Sequence, residues 1–293
     1  MVFNEEKTIG KLLEYLGKLR NDYSIEIIVI DSGSHDNTIP IIIEKKKLIS
    51  EIKYYSIHQK QFNYSNTRNK AVRIASGKYI CFISGDALPI SPNFIRFFES
   101  DLKLNKNIIA AYGQHIPYPH TPLFINTEIL CRFDQLNKIT NRDGLFIQSS
   151  DKKINSNNDP VFFLWYLSNV FACYKKSYLK SYPFPKTNYG AEDIMWAKMM
   201  IQKGYSIVYD SRCIVLHSHP LNIKEYFFRQ KRDIKLREKY GNIRINILCK
   251  IKRSFISNTS IIKKILFFVD LVFCYLIKIV AQLYVSFNLK WKK

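Results

Sequence analysis

The sequence contains few of the residues on which unusual architectures depend. Among 293 residues, ten are glycine and ten are proline, which excludes collagen-like and low-complexity chains. The six cysteines are scattered and form no CxxC pair, so we expect reduced core residues and neither a disulfide framework nor a zinc site. Because 47% of the residues are hydrophobic and 14% are aromatic, the chain can bury a sizeable core and is too apolar for disorder.

Acidic residues are also scarce. The chain has 24 Asp and Glu against 45 Lys and Arg, which gives a formal net charge of +21. Residues 221–293 carry much of this excess, with 17 Lys or Arg and 4 acidic residues. Such an excess indicates an anionic partner, which could be nucleic acid, a phosphate-bearing substrate or a lipid surface. Since no RNA- or DNA-binding motif accompanies it, we expect no nucleic acid partner.

The C-terminal region is apolar but lacks a run long enough to span a bilayer. The longest uncharged run, 279–289, is far shorter than the roughly 20 residues that a transmembrane helix needs. The stretch 261–287 is interrupted by four charged residues that share one face of a helix, Lys263, Lys264, Asp270 and Lys278. This pattern predicts an amphipathic helical extension.

Two interpretations of this extension remain open. The basic residues Lys250, Lys252 and Arg253 just before it would attract anionic lipid, which favours a helix lying in the membrane interface. The alternative is a helix packed on the rest of the chain or across a dimer. No signal peptide is recognisable, so we expect a cytoplasmic protein, peripheral on the inner face of the cell membrane.

The N-terminal half alternates strand and helix patterns. Helices are predicted to begin near residues 5, 36 and 65, and strands to occupy 25–30, 52–57 and 78–83. This spacing is typical of right-handed βαβ units, so we expect an α/β fold with a mostly parallel sheet. The chain enters its first helix almost directly after Phe3, with Asn4 as the predicted N-cap. Such a sheet would lack its first strand, and we expect the true start to lie upstream.

Two aspartates follow predicted parallel strands and should meet at one sheet edge. Asp31 ends the first strand, and Asp86 follows the third after a Ser-Gly step. Ligands of open α/β sheets bind outside the carboxyl ends of the strands, where a carboxylate can accept from a ribose or hold Mg²⁺ beside a diphosphate. The alternative is that each Asp caps the following helix. The chain has neither GxGxxG nor Walker A, so a dinucleotide fold or P-loop has no support.

Two further clusters lie nearer the C-terminus. Glu192 and Asp193 open a predicted helix, where they either complement the helix dipole or provide a general base. His217 and His219 end a predicted strand with side chains on the same side, so either can reach a metal. The alternative for the histidines is one buried and one exposed side chain with no ligand.

These clusters, in this order, resemble the family 2 glycosyltransferases, most of all the bacterial rhamnosyltransferase-like branch. Ile30-Asp31-Ser32-Gly33-Ser34-His35-Asp36-Asn37-Thr38 is similar to the family signature D-x-G-S-x-D-x-T, and Ser84-Gly85-Asp86-Ala87 to the branch's form of its DxD motif. Further matching segments are 3–9, 67–71, 75–80, 112–114, 168–172, 191–196 and 215–219. The resemblance covers about residues 1–240.

The resemblance implies a GT-A fold and inverting transfer of a sugar from a nucleotide-diphosphate donor. Asn4, Glu6, Asp31 and Arg68 would surround the nucleotide, and Asp86 would bind the donor through the metal. The implied cofactor is a divalent metal, Mn²⁺ or Mg²⁺, held by Asp86 with His217 or His219. Asp193 would be the base that takes the acceptor proton, with Glu192 supporting the acceptor. The implied acceptor is a saccharide or a polyprenyl-linked glycan in surface polysaccharide synthesis.

Two departures from the family pattern affect these expectations. Met1 stands where the family has a Pro, preceded there by an apolar strand, and Ser84 replaces a first Asp. We therefore divide the chain into a GT-A domain at 1–240, apparently without its first strand, and a basic amphipathic tail at 241–293. Rhamnose from a dTDP donor is expected, with UDP-sugars still open. The alternative function is an inactive nucleotide-sugar-binding module of the same fold.

Overall fold

The computed structural model describes residues 1–151, 164–187, 190–219 and 223–240, together with eight residues between 272 and 284. The predicted interfacial helix at 261–287, apart from those eight residues, lies outside the described residues, as do Lys250, Lys252 and Arg253. The division at 240 therefore stays a prediction. Within the described part of the chain, no helix combines the length and apolarity needed to cross a membrane.

Helices and strands alternate through the first half of the chain, as the periodicity predicts. In the first half they are α1 (Ile9–Lys18), β1 (Ile27–Asp31), α2 (Thr38–Leu48), β2 (Ile52–Ser56), α3 (Tyr64–Ile74), β3 (Tyr79–Ile83), β4 (Leu88–Pro89) and α4 (Phe94–Leu104). In the second half they are β5 (Ile108–Ile116), α5 (Leu123–Asn137), β6 (Leu145–Gln148), β7 (Phe171–Lys175), α6 (Lys176–Ser181), α7 (Glu192–Gln202), β8 (Ser206–Leu216) and α8 (Ile223–Tyr240).

The strands form two sheets. β1 and β2 pair in parallel, and Val2 adds a single parallel bridge to Asp31 on the other edge of β1. The second sheet has the order β3-β7-β5-β8-β4, with β6 also on β8. Its described registers, β3–β7, β5–β7, β4–β8 and β6–β8, are all antiparallel.

The α/β class is thus confirmed, but a mostly parallel sheet is too simple a description of the second sheet. β7 is inserted between β3 and β5 and runs opposite to both of them. The βαβ argument applies where a helix joins two consecutive strands, as α2 joins β1 to β2. Strands that arrive after long connections carry no such signal of direction in their hydrophobic pattern.

Two compact units divide the described chain. The first comprises 1–115 and 139–217 and contains both sheets, and the second comprises 116–138 and 218–293. In the second unit, Ile234 of α8 packs on Ala281, and the Nζ of Lys231 lies 3.6 Å from the ring centroid of Tyr284. The described C-terminal residues of that unit therefore cover one face of α8.

The core of the first unit has two parts. One is formed by α1, α2 and β1, and the other by α4, β5, β7 and β8. At Gly113 of β5, any Cβ would lie 2.3 Å from the carbonyl oxygen of Cys213 in β8. Glycine is required there because the two strands approach too closely for a side chain.

A cavity of about 480 Å³ separates the two sheets of this unit. It is lined by residues 25–30 on the β1 side and 78–83 on the β3 side, with Met1 and Val2 also on its wall. Among the described residues, β1 pairs with β2 and Val2, and β3 pairs with β7. We refer to this space as the inter-sheet cavity.

Candidate active site

The loop after β1 is organised by Asp31. The Asp31 carboxylate accepts from the backbone N–H of Gly33 at 2.9 Å and from the hydroxyl of Ser34 at 2.5 Å. Gly33 has φ +90°, a conformation that glycine adopts without strain. Asp31 is fully buried, and its hydrogen bonds stabilise the loop that follows β1. Its predicted contact with a nucleotide stays a prediction.

Asn4 and Glu6 are bound to the same loop. The Asn4 Oδ1 accepts from the His35 N–H at 2.9 Å, and the Glu6 Oε2 accepts from the Asn37 backbone and side-chain nitrogens at 3.0 Å. The structure therefore brings Asn4, Glu6 and Asp31 together, as their predicted roles require. Asn4 does not cap α1, however, since it has φ +54° and the helix begins at Ile9.

Glu5, which the sequence analysis missed, points toward the other aspartate. The Thr8 hydroxyl donates to the Glu5 Oε2 at 3.3 Å and lies 3.1 Å from the Gly85 carbonyl oxygen. Burial, together with the nearby charge of Asp86, raises the pKa of Glu5 to about 8. No periodicity marks Glu5, because the segment between Phe3 and α1 is irregular, and the family-like segment 3–9 gave its side chain no role.

Asp86 and His217 meet at the ends of their strands. The His217 Nε2 lies 3.3 Å from the Asp86 Oδ2, and each residue is 8% exposed. His219 lies two residues further along the chain, and the three residues offer ligand atoms that all lie within 4.8 Å of one another. The buried His115 ring contacts the His217 ring edge-on at 5.3 Å between centroids.

These residues fit a divalent cation. Carboxylate oxygen and imidazole nitrogen are both ligands of first-row divalent metals, and Mg²⁺ and Mn²⁺ need few protein ligands when a substrate phosphate supplies others. A side chain at Gly85 would lie 2.7 Å from the Val2 Cγ1, which fixes the backbone beside Asp86. The predicted grouping of Asp86 with the histidines is thus present in the structure.

Arg68 pairs with Glu192 in a buried ion pair. The Arg68 guanidinium also lies over the ring of Tyr64, 5.5 Å from its centroid, and over Phe82, 5.8 Å from its centroid. Arg68 was expected near the nucleotide and Glu192 near the acceptor. Their pairing places the two predicted groups in direct contact.

Asp193 follows a strained turn into α7. Gly190 and Ala191 both have positive φ, +84° and +63°, and α7 begins at the next residue. The Asp193 carboxylate accepts from the N–H of Asn169 at 3.0 Å and from that of Ile194 at 2.9 Å.

The environment of Asp193 suits proton transfer near neutral pH. Burial and the Glu192 charge raise the pKa of Asp193, and Arg68 partly opposes them, so that the pKa is about 6. A carboxyl group whose pKa lies near the working pH is an effective general base.

Asn169 is the second residue that the sequence analysis left without a role. Its side-chain Nδ2 donates to Glu192 at 3.3 Å, and its Oδ1 accepts from the Tyr174 hydroxyl at 2.6 Å. Asn169 lies in the segment 168–172, which matches the family pattern. A polar residue just before an apolar strand was the sequence signal that could have identified it.

The Asp86 group and the Asp193 group lie at the same sheet edge. Ile83, at the end of β3, pairs with Phe171, at the start of β7. The Ser84 N–H donates to the Val170 carbonyl at 3.0 Å. Antiparallel pairing therefore brings the segment before Asp86 beside the segment that holds Asn169.

Comparison with known sequences agrees with this geometry. A family model described as glycosyl transferase family 2 matches residues 1–139. The O-antigen chain rhamnosyltransferase RfbN of Salmonella typhimurium is 31% identical over 219 residues, which are 72% of this chain and 63% of the relative. WbaN of Salmonella anatum, also an O-antigen chain rhamnosyltransferase, is 31% identical over 207 residues, which are 70% of this chain and 60% of the relative. The chain thus spans somewhat less than two thirds of these relatives.

Solved structures share the fold at low sequence identity. TarS 1–349 from S. aureus has a TM-score of 0.52 and 15% identity, with 90% of this chain and 66% of that chain covered. The mannosyltransferase PcManGT from Pyrobaculum calidifontis, in complex with GDP-Man and Mn²⁺, has a TM-score of 0.53 and 14% identity, with 97% and 73% covered. The expected GT-A fold is confirmed by these similarities.

Proposed function

Because the chain belongs to glycosyltransferase family 2, we propose that it transfers a sugar from a nucleotide-diphosphate donor to a saccharide or polyprenyl-linked acceptor. The observation that carries the proposal is the placement of Asp86 with His217 and of Glu192 with Asp193 at one sheet edge. The two O-antigen chain rhamnosyltransferases support rhamnose as the transferred sugar and a surface polysaccharide as the product.

A divalent metal fits the Asp86 end of this edge. Asp86 and His217 would hold it, with His219 as a third ligand. Mn²⁺ or Mg²⁺ bound there supplies positive charge that stabilises the departing nucleotide diphosphate. Mn²⁺ is bound in PcManGT and, with UDP, in glucosyl-3-phosphoglycerate synthase from Mycobacterium tuberculosis, a further structure with a TM-score of 0.51.

Asp193 performs the proton transfer in this proposal. A sugar hydroxyl is a weak nucleophile, so a positioned carboxylate has to take its proton as the new bond forms. Attack on the face opposite the leaving diphosphate inverts the anomeric centre, and no covalent enzyme intermediate is needed. Glu192, neutralised by Arg68, contacts the acceptor rather than acting as the base.

The loop after β1 forms the nucleotide side of the pocket. Asn4 and Glu6 secure that loop through His35 and Asn37, so they act on the nucleotide through the loop's shape. Asp31 fixes the turn from inside and reaches a base or ribose if the loop opens.

Thermal stabilisation of the full chain by nucleotides tests the donor site. UDP, dTDP and GDP are each added with and without Mn²⁺, to the wild type and to Asp86→Asn. We expect one nucleotide to raise the melting temperature only with Mn²⁺, and the variant to lose that rise. Asp143→Asn, a change at an exposed turn, is the matched control and should respond like the wild type. A folded wild type that responds to none of the three would contradict the proposal.

The same experiment separates an enzyme from an inactive binding module. Both the enzyme and the module bind the nucleotide, whereas only the enzyme cleaves a nucleotide sugar and releases free nucleotide. Release of dTDP from dTDP-rhamnose, or of UDP from UDP-sugars, as the sugar passes to an added saccharide acceptor in the presence of Mn²⁺, is therefore measured on the same samples. Binding without release under any donor would favour the module.

A further inference from the structure

Asn169 contacts both acids that open α7. Its backbone N–H donates to the Asp193 Oδ2 at 3.0 Å, and its Nδ2 donates to the Glu192 Oε1 at 3.3 Å. Its remaining polar atom, Oδ1, accepts from the Tyr174 hydroxyl at 2.6 Å. Asn169 is 2% exposed, so none of these bonds competes much with water.

Glu192 determines which way the Asn169 amide points, and Tyr174 binds the other end of that amide. Burial raises the pKa of the Tyr174 phenol well above its usual value, so the hydroxyl stays protonated and donates. A flipped amide would place its oxygen against the Glu192 carboxylate and its nitrogen against the Tyr174 O–H. The hydrogen bond to Glu192 would then be lost, because neither an amide oxygen nor a carboxylate can donate, and this favours the observed orientation.

Separate donors hold the two carboxylates apart. Glu192 is bound by Arg68 on one side and by the Asn169 Nδ2 on the other. Asp193 is bound by the backbone N–H groups of Asn169 and Ile194. Adjacent buried carboxylates repel each other, so this division of donors lowers the cost of keeping both at one helix end.

We propose that Asn169 is a positioning residue, which holds Glu192 against Arg68 and keeps Asp193 oriented to accept a proton. This inference rests on the proposed role of Asp193 as the base. The hydrogen bonds that support it involve no substrate, and they can be tested without one.

Carbon-13 NMR titration of the Asp193 carboxyl provides the test, on the full chain without substrate. The groups facing this carboxyl are Glu192, Arg68 and Tyr174. Asn169→Asp adds a negative charge beside both acids, so we expect the Asp193 pKa to rise by more than one unit. Asn169→Ala removes a donor to Glu192 and leaves the Glu192 charge less compensated, so the Asp193 pKa should rise by a smaller amount. Tyr174→Phe removes only the hydrogen bond to the Asn169 Oδ1 and should raise the Asp193 pKa least.

A purely structural role predicts a different result. The Asn169 variants would then lower the melting temperature and leave the Asp193 titration at its wild-type position, which would overturn the inference. If Asn169→Ala does not fold, Tyr174→Phe still provides the test. Asn105→Ala, at an exposed asparagine whose side chain also accepts from a backbone N–H, is the control and should shift nothing.

Failure of the proposed function would be visible separately. A folded wild type that binds no nucleotide in the thermal assay would remove the enzymatic role, while the NMR titration would still report the hydrogen bonds. Where activity is measurable, the acidic limb of the pH dependence of kcat should move upward with the Asp193 pKa. The KM for the donor should stay within about twofold, because Asn169 contacts neither the Asp31 loop nor Asp86 in the described structure.

Discussion

At the scale of single residues, the proposed function gives Asp193 and Asp86 different roles. Asp193 is half-buried and accepts from two backbone N–H groups, whereas Asp86 is paired with an imidazole. The pKa of Asp193 is raised to about 6, which is close to neutral pH and suits proton transfer. The imidazole beside the second suits metal binding, so two chemically identical side chains are given different tasks by their neighbours.

Replacing Asp193 should abolish transfer and spare binding. In Asp193→Asn the shape of the side chain is kept but its capacity to take a proton is lost. We expect kcat to fall by about 10²- to 10⁴-fold, the usual contribution of a general base. Binding of the donor nucleotide, measured by calorimetry with Mn²⁺, should stay near the wild-type value. Equal loss of binding and turnover would exclude Asp193 as the base.

The pH dependence of turnover should report the same carboxyl. A general base has to be ionised, and the pKa of Asp193 is raised to about 6. We therefore expect kcat to increase as the pH rises from 5 to 7 and then to level off. Stopped assays across this range, at saturating donor and Mn²⁺, measure the limb. An activity that is flat from pH 5 to 7 would be incompatible with this assignment.

Charged residues at strand ends were predictable, whereas their supporting partners were not. Asp86, Asp193 and the histidines were found because strand ends and helix starts can be read from hydrophobic periodicity. Glu5 and Asn169 act through contacts with residues distant in sequence, and no local pattern encodes such contacts. The segment 168–172 matches the family pattern, but that match predicts no contact for the Asn169 side chain.

At the scale of elements, α4 and β8 are joined by two buried carboxylates that share a partly exposed arginine. Arg212 forms two hydrogen bonds to the Asp210 carboxylate through Nε at 2.9 Å and Nη2 at 2.8 Å, and lies 3.5 Å from Asp101 of α4. Burial and the neighbouring Asp210 raise the pKa of Asp101 to about 8. One arginine therefore serves two buried carboxylates, and Asp101 retains its proton.

This cluster makes stability depend on pH in a predictable direction. The folded state binds a proton at Asp101 more tightly than the unfolded chain, whose ordinary Asp pKa is about 3.9. Stability should therefore fall as the pH rises from about 4 to 8. In Asp101→Asn this dependence disappears, and at pH 8.5 the variant should be more stable by at least about 1.4 kcal/mol, the equivalent of one pKa unit.

Melting temperatures at pH 5.5, 7 and 8.5 measure this effect. A gain of that size corresponds to roughly 3–6 °C in a domain of about 200 residues. Asp22→Asn, at an exposed position in the same unit, is the matched control and should change little at any pH. An Asp101→Asn variant that is less stable than the wild type at pH 8.5 would contradict a shared proton.

Element types were predicted better than strand directions. The helices α1, α2 and α3 and the strands β1, β2 and β3 lie close to where their periodicity placed them. The antiparallel course of β7 was not foreseen, because the sequence between β6 and β7 has no periodicity that records how the chain returns to the sheet.

At the scale of the whole molecule, the excess positive charge and the apolar C-terminal sequence suit the same partner, an anionic membrane. We propose that the tail at 241–293 attaches the protein to the anionic inner face of the membrane, where a polyprenyl-linked acceptor would be met. Ala281 and Tyr284 contact α8, however, so deleting 255–293 would also uncover Ile234 and Phe227. Changes of charge are therefore a cleaner test than deletion.

Replacing Lys250, Lys252 and Arg253 by Gln should weaken membrane binding. We expect the full chain to sediment with vesicles containing anionic phosphatidylglycerol and the triple variant to do so about tenfold less. This estimate assumes about 1 kcal/mol for each lost basic charge, reduced by the remaining Lys and Arg. Raising the salt concentration should release both proteins, because surface charges are screened. Binding of the wild type that ignores both salt and lipid charge would contradict the proposal.

The inter-sheet cavity has a consequence for how the first unit opens. The ladder of β1 and β2 reaches the second sheet through side chains, and beyond Val2 no described backbone hydrogen bond extends it across the cavity. Each sheet can therefore open locally without breaking the other's ladder. In hydrogen exchange, the amides of β1 and β2 should form a fast-exchanging group apart from those of β5 and β7. We thus expect the Asp31 loop to belong to the less protected layer, and Asn169, which binds Asp193 and precedes β7, to lie beside the more protected one.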